Sequence, residues 1–94
     1  MRVRIRLLGV LRGAGGSRAM IIDAPDDSTV ESVIRQLIDD DETLRTALWD
    51  ESVDSPIPNA LIMLDGVEVN NLQGTQTSVN LDQELVLLSV VHGG

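Results

Sequence analysis

Residues 84–91, Glu-Leu-Val-Leu-Leu-Ser-Val-Val, are apolar at almost every position. A run so short and continuous fits a strand that is hydrogen-bonded along both edges and covered on one face. It therefore needs a neighbour on each side. The other strong strand signal lies at the opposite end of the chain. In Arg2-Val3-Arg4-Ile5-Arg6-Leu7-Leu8, Val3, Ile5 and Leu7 fall on one face and Arg2, Arg4 and Arg6 on the other, the period-two signature of a half-buried strand. Both segments want central positions. If they lie side by side, the helix-containing connection between them makes them parallel.

The segments between them supply the rest of the sheet and its cover. Residues 9–17 contain four glycines and read as a turn, after which Arg18–Ala24 forms a second strand, ended by Pro25, and completes a hairpin with the first. Ser28 followed by Glu31 has capping-box spacing, and Val30, Val33, Ile34, Leu37 and Ile38 form one apolar helical stripe. The acidic run 39–42 ends this helix and can cap a short second one through Leu44, Ala47 and Leu48. Residues 50–59 read as a loop. Asp65-Gly66 is a turn signal between the β-prone arms of 60–69, and residues 70–80 are ragged and polar. This order predicts a two-layer α+β domain: a β-grasp, ubiquitin-like roll. Its mixed sheet has four or five strands, with one main helix on one face and a short second helix. The domain is expected over residues 1–91, followed by a flexible tail over 92–94.

Composition narrows the functions open to such a domain. The 94 residues suit one domain and carry a net charge of −8. That charge disfavours direct binding to nucleic acid or an anionic membrane and favours a protein partner with a basic docking face. Trp49 is the sole aromatic side chain, so bases have no stacking platform. Cysteine is absent, which excludes disulfides, thiolate metal sites and a cysteine nucleophile. No apolar run approaches the ~20 residues that span a bilayer. Arg2, Arg4 and Arg6 interrupt what would be the apolar part of a signal peptide. A soluble, cytoplasmic protein is the expectation.

Catalytic residues are not evident. His92 is the one histidine, the third residue from the end, and no Ser/His/Asp set assembles around it. Gly13-Ala14-Gly15-Gly16 lacks the Lys-Ser/Thr of a phosphate-binding loop. Counted from Asp39, a calcium loop would need Gly at position 44 and Glu at 50; the residues there are Leu44 and Asp50. No metal or other bound cofactor is expected, and the chain is not expected to be an enzyme. What remains is Val91-His92-Gly93-Gly94, an apolar strand running straight into two glycines. Glycine has no Cβ to clash with the walls of a narrow channel and takes extended or positive-φ conformations equally well. Three residues beyond Val91 reach about 10 Å, enough to enter a cleft. A carboxylate at Gly94 would become an acyl donor once adenylated.

With these features the chain resembles the ThiS/MoaD and ubiquitin-related modifier superfamily of sulfur carriers and protein modifiers. Residues 3–17, with Leu8-Gly9-Val10-Leu11-Arg12 and Gly15 or Gly16, resemble the family's opening strand and turn. Ser28–Asp39 resembles its helix, Leu61–Val69 its hairpin, and Leu81–Gly94 its closing strand and tail. The resemblance implies that Gly94 is adenylated by a ThiF/MoeB-type activating enzyme at the expense of ATP and then converted to a thiocarboxylate. Gly93 and His92 would be the segment threading that enzyme. Sulfur would then pass to a tRNA thiolation enzyme or into cofactor synthesis, or the acyl group would be joined to substrate lysines by an isopeptide bond. Two further readings stand beside this one. One is a MoaD-type small subunit bound to the large subunit of molybdopterin synthase; the other is a β-grasp interaction domain with an incidental tail. Val91-His92-Gly93-Gly94 is similar to the endings of ubiquitin-related modifiers rather than to the Pro-Pro-containing MoaD tail. The acidic chain without lysine is similar to small archaeal modifiers, and a modifier without lysine cannot build lysine-linked chains on itself. Arg2, Arg4 and Arg6 would lie on a partner-docking face. The alternation of the last strand alone leaves open whether Leu85, Leu87 and Ser89 or Val86, Leu88 and Val90 face outward.

Overall fold

The structure, a computed structural model, describes residues 1–9, 18–39 and 41–90. In chain order they form β1 (Arg2–Gly9), β2 (Arg18–Asp23), α1 (Val30–Ile38), α2 (Glu42–Leu48), β3 (Ala60–Leu64), β4 (Val67–Glu68) and β5 (Glu84–Ser89), with 3₁₀ turns at Val69–Asn71 and Gly74–Gln76. The sheet order is β2-β1-β5-β3-β4. β5 lies in the middle, parallel to β1 with Ile5 opposite Leu85 and Leu7 opposite Leu87, and antiparallel to β3 with Ile62 opposite Leu87. β5 thus has a partner on each edge, as the absence of polar alternation requires. β5 ends at Ser89, and Val91 lies outside the described residues.

Alternation decides what each strand buries. Val3, Ile5 and Leu7 of β1, Ala60, Ile62 and Leu64 of β3, and Leu85 and Leu87 of β5 are almost wholly buried, facing Val30, Val33, Ile34 and Ile38 of α1 and Leu44 and Leu48 of α2. The β1–β2 hairpin is in register from Arg2–Asp23 to Leu7–Arg18. Asp65 and Gly66 both take positive φ, 49° and 82°, the twist a two-residue hairpin turn needs. The arm beyond that turn is short: β4 pairs through Val67 and Glu68 alone, and Val69 turns inward and is buried.

The start of α1 departs from the sequence expectation. Its N-cap is Thr29, not Ser28, and the reciprocal partner is Ser32, not Glu31. Thr29 Oγ1 accepts from the Ser32 amide at 3.2 Å, and Ser32 Oγ accepts from the Thr29 amide at 2.9 Å. Ser28 is occupied elsewhere: its hydroxyl and amide both donate to the Pro25 carbonyl, and its carbonyl accepts from Val79. Closing the Pro25 turn removes Ser28 from the helix and moves the cap by one residue. The cap of α2 is Asp41, whose Oδ1 accepts from the Leu44 amide at 3.0 Å.

The loop after α2 is anchored to α1. The Arg35 guanidinium sits 4.5 Å from the centroid of the Trp49 ring, a cation–π distance. Trp49 Nε1 donates to Asp54 Oδ1 at 3.1 Å, and Arg35 Nη2 donates to Asp54 Oδ2 at 3.2 Å. Asp54 holds φ at 50° to make both contacts. The indole hydrogen bond, and then the guanidinium, keep the Asp54 carboxyl below the usual carboxylate range. A depressed folded value means that this anchor is complete above the ordinary aspartate value of about 3.9 and is lost as pH falls through the lower folded value. Emission from Trp49, the sole tryptophan, should therefore be constant from neutral pH to about 4 and shift to longer wavelength below it. Asp54→Gly, which keeps the positive φ and removes the carboxylate, should show the shifted emission already at neutral pH. An acid transition centred above the ordinary aspartate value would contradict the assignment.

Candidate functional site

β1 and β5 run side by side to the same end of the sheet, where Gly9 lies opposite Ser89. Ala60, the first residue of β3, also pairs with Ser89, and the Val90 amide donates to the Asn59 carbonyl at 2.9 Å. Val90 is thus held by the last described backbone hydrogen bond before residues 91–94. The domain boundary at 91, His92, Gly93 and Gly94 fall outside the described residues, as does the glycine turn at 13–16.

Gly9 is a constraint that the sequence pattern did not reveal. Its φ is +76°, and a Cβ placed there would lie 2.8 Å from Leu88 Cδ1 and 3.1 Å from the Ser89 carbonyl oxygen. The backbone oxygen of β5 cannot move aside without breaking the pairing that carries the strand. Glycine permits this close approach at the last residue of β1, beside the end of β5.

The sheet face away from the helices gathers the remaining residues of interest. It carries Arg2, Arg4 and Arg6 of β1, all exposed, next to half-buried Val86 and Leu88 of β5 and Leu61 and Met63 of β3. Register sets Val86 between Arg6 and Met63, and Leu88 between Leu8 and Leu61. No helix covers this face among the described residues; both helices pack on the opposite one. The arginines are partly engaged within the chain. Arg4 Nη2 donates to the Asp82 carbonyl at 2.7 Å, and Arg6 Nη2 lies 3.3 Å from Glu84 Oε2. Exposed pairs of this kind contribute about 0–1 kcal/mol. Leu85, Leu87 and Ser89 face the core, so Val86, Leu88 and Val90 are the outward set. Reading β5 against the alternation of β1, once parallel pairing is assumed, would have found the apolar part of this face.

Charge is divided between the two sides. Residues 26–54, which include both helices, contain ten carboxylates against two arginines. Most of the net charge of −8 thus belongs to the helix layer, while the open sheet face presents an arginine row beside apolar side chains. Among the described residues no group of three or more acidic or histidine side chains is arranged to hold a metal ion, and no helix is long and apolar enough to cross a membrane.

Solved structures share this arrangement. SAMP1 from Haloferax volcanii superimposes with a TM-score of 0.81 at 19% identity, covering 100% of both chains. The fold is the β-grasp, ubiquitin-like roll. The HVO 2177 protein from Haloferax volcanii is similar at 26% identity and a TM-score of 0.72, over 100% of this chain and 87% of the other. A putative molybdopterin converting factor subunit 1 from Pyrococcus furiosus matches at 16% identity and a TM-score of 0.72, over 97% and 99% of the two chains. No protein-family model and no curated protein sequence matches the chain.

Gly9→Ala should lower stability by about 1–2 kcal/mol for the left-handed conformation alone, with a further loss from the contact with the Ser89 carbonyl. Urea unfolding monitored at Trp49 measures it. A change within a few tenths of a kcal/mol would show that the approach of β1 to β5 is not tight.

Proposed function

We propose that the chain is a ubiquitin-like carrier whose reactive group is the carboxylate of Gly94. The observation that carries this reading is the position of β5. It is the central strand, it leads directly to the Gly-Gly segment, and it borders the uncovered apolar face. An enzyme that grips that face is then well placed to receive the residues that follow Val90. The likeness to a small archaeal modifier protein and to a molybdopterin converting factor subunit supports the same reading.

The chemistry is supplied by an activating enzyme of ThiF/MoeB type. A Gly94 carboxylate oxygen attacks the α-phosphorus of ATP, pyrophosphate leaves, and an acyl-adenylate forms. Hydrosulfide or an equivalent sulfur nucleophile then attacks the carbonyl carbon, the bond to AMP breaks, and a thiocarboxylate results with loss of a proton to water. A lysine amine of a target protein attacking an activated acyl group gives an isopeptide bond instead, with the same balance of leaving group and proton. The chain itself contributes docking and delivery. Val86, Leu88, Leu61 and Met63 bury apolar area against the partner, Arg2, Arg4 and Arg6 meet its carboxylates, and the absence of Cβ atoms at Gly93 and Gly94 lets the tail enter a narrow channel.

Two experiments test this. Deleting Gly94, or adding one residue after it, should abolish both the thiocarboxylate and protein conjugates detected by mass spectrometry. Persistence of either product would refute the assignment. Leu88→Glu places a charge in the apolar patch and should reduce activation at least tenfold while leaving thermal unfolding nearly unchanged, since a buried unpaired charge at a docking surface costs several kcal/mol. Undiminished activation would remove the open face from the docking account.

A further inference from the structure

The hairpin leaves one edge of the sheet unpaired among the described residues, and its geometry points to a particular occupant. Met1 and Ala24 exchange both backbone hydrogen bonds, Ala24 N to Met1 O at 2.8 Å and Met1 N to Ala24 O at 2.7 Å. Hydrogen-bonded and non-hydrogen-bonded pairs alternate along an antiparallel ladder. Continuing the β1–β2 register, residues 22, 20 and 18 turn their N–H and C=O groups toward β1, while Ala19, Ile21 and Asp23 turn theirs away. The Asp23 carbonyl confirms that phase, because it accepts from Gln36 Nε2 on the outer side.

Among the described residues, the Gln36 bond to the Asp23 carbonyl is the one hydrogen bond on this edge. The strand has no proline or lysine, its register with β1 is unbroken from Arg18 to Asp23, and Ile21 is 60% exposed in its middle. Protein sheets ordinarily protect edges by such devices. We propose that β2 is the interface of a two-fold dimer, pairing antiparallel with β2 of a second copy about Ile21.

The two-fold axis must stand perpendicular to the sheet, so each residue meets one that points to the same face. Centring on Ile21 places Ile21 opposite the partner's Ile21, Met20 opposite the partner's Ile22, and Ala19 opposite the partner's Asp23. This register is the one that uses all three outward residues. It forms about six backbone hydrogen bonds, once Gln36 releases the Asp23 carbonyl. No like charges face each other across it. The five-stranded sheet becomes one continuous sheet of two copies, with the helices of both on the same side. β5 and its exit lie two strands away and stay accessible, so the dimer is independent of the carrier reading.

The acidic helix layers of both copies then lie side by side, which opposes association at low ionic strength. Salt screens that repulsion, so the dimer should strengthen as salt is raised, opposite to an interface held by ion pairs. Sedimentation equilibrium of the whole chain should show the mass rising from one chain toward two with concentration, and doing so at lower concentration in high salt. Ile21→Glu and Ile21→Arg should each remain at the mass of one chain, because each sets like charges face to face at the axis. Mixed in equal amounts they should reach the mass of two chains. Emission of Trp49 and far-ultraviolet circular dichroism report that both variants are folded, and Ile21 is exposed enough that both substitutions are tolerated in the monomer. A wild-type chain that stays at one-chain mass in high salt overturns the proposal. So does a dimer that survives Ile21→Glu, or a mixture of the two folded variants that fails to associate.

Discussion

The structure depends on the parallel pairing of β1 with β5. These strands lie at opposite ends of the sequence, yet Ile5 and Leu85, and Leu7 and Leu87, sit side by side beneath α1. Such contacts are non-local, so the chain must close a long connection before they form. Everything between the two strands serves that closure. The β1–β2 hairpin places α1, α1 and α2 cover the inner face, and the β3–β4 hairpin returns to the far side of β5. The first turn of β5 is fixed by Asp65, whose Oδ1 accepts from the Glu84 amide at 2.8 Å and whose own amide donates to the Glu84 carbonyl. The turn of one hairpin thus sets where the central strand begins, and Gly9 sets how closely β1 can follow it to its end.

This architecture separates three surfaces with different physical character. The helix layer is acidic and repels other anions. The open sheet face combines apolar side chains with arginines that are only loosely satisfied within the chain. The β2 edge offers unpaired backbone groups around an exposed isoleucine. A basic partner would be drawn to the first of these, whereas the docking proposed for an activating enzyme uses the second.

Most of the fold was legible in the sequence because its signals were periodic. The alternation in residues 2–8, the continuous run at 84–91 and the stripe from Val30 to Ile38 each specify one element, and their order leaves few topologies. The failures came where local chemistry competes with periodicity. Ser28 has capping-box spacing, but its hydroxyl closes the Pro25 turn and Thr29 caps the helix. Arms of equal strand character around Asp65-Gly66 did not show that Val69 leaves the sheet to fill the core. The clamp of Arg35, Trp49 and Asp54 joins residues far apart in the chain, and a turn-rich segment gives no sign of such a partner. The candidate site was half legible. The arginine row was visible from alternation, whereas its apolar neighbours required the register between β1 and β5.

We propose that an enzyme using ATP activates this chain at Gly94 while gripping the face beside β5. Exchange of labelled pyrophosphate into ATP, catalysed by an activating enzyme of ThiF/MoeB type, reads the first chemical step directly. The account predicts exchange that depends on the chain, saturates with it, and is lost when the enzyme's docking carboxylates are neutralised. No exchange above background, with an enzyme that is active on its own carrier and taken from the same cells, would contradict it.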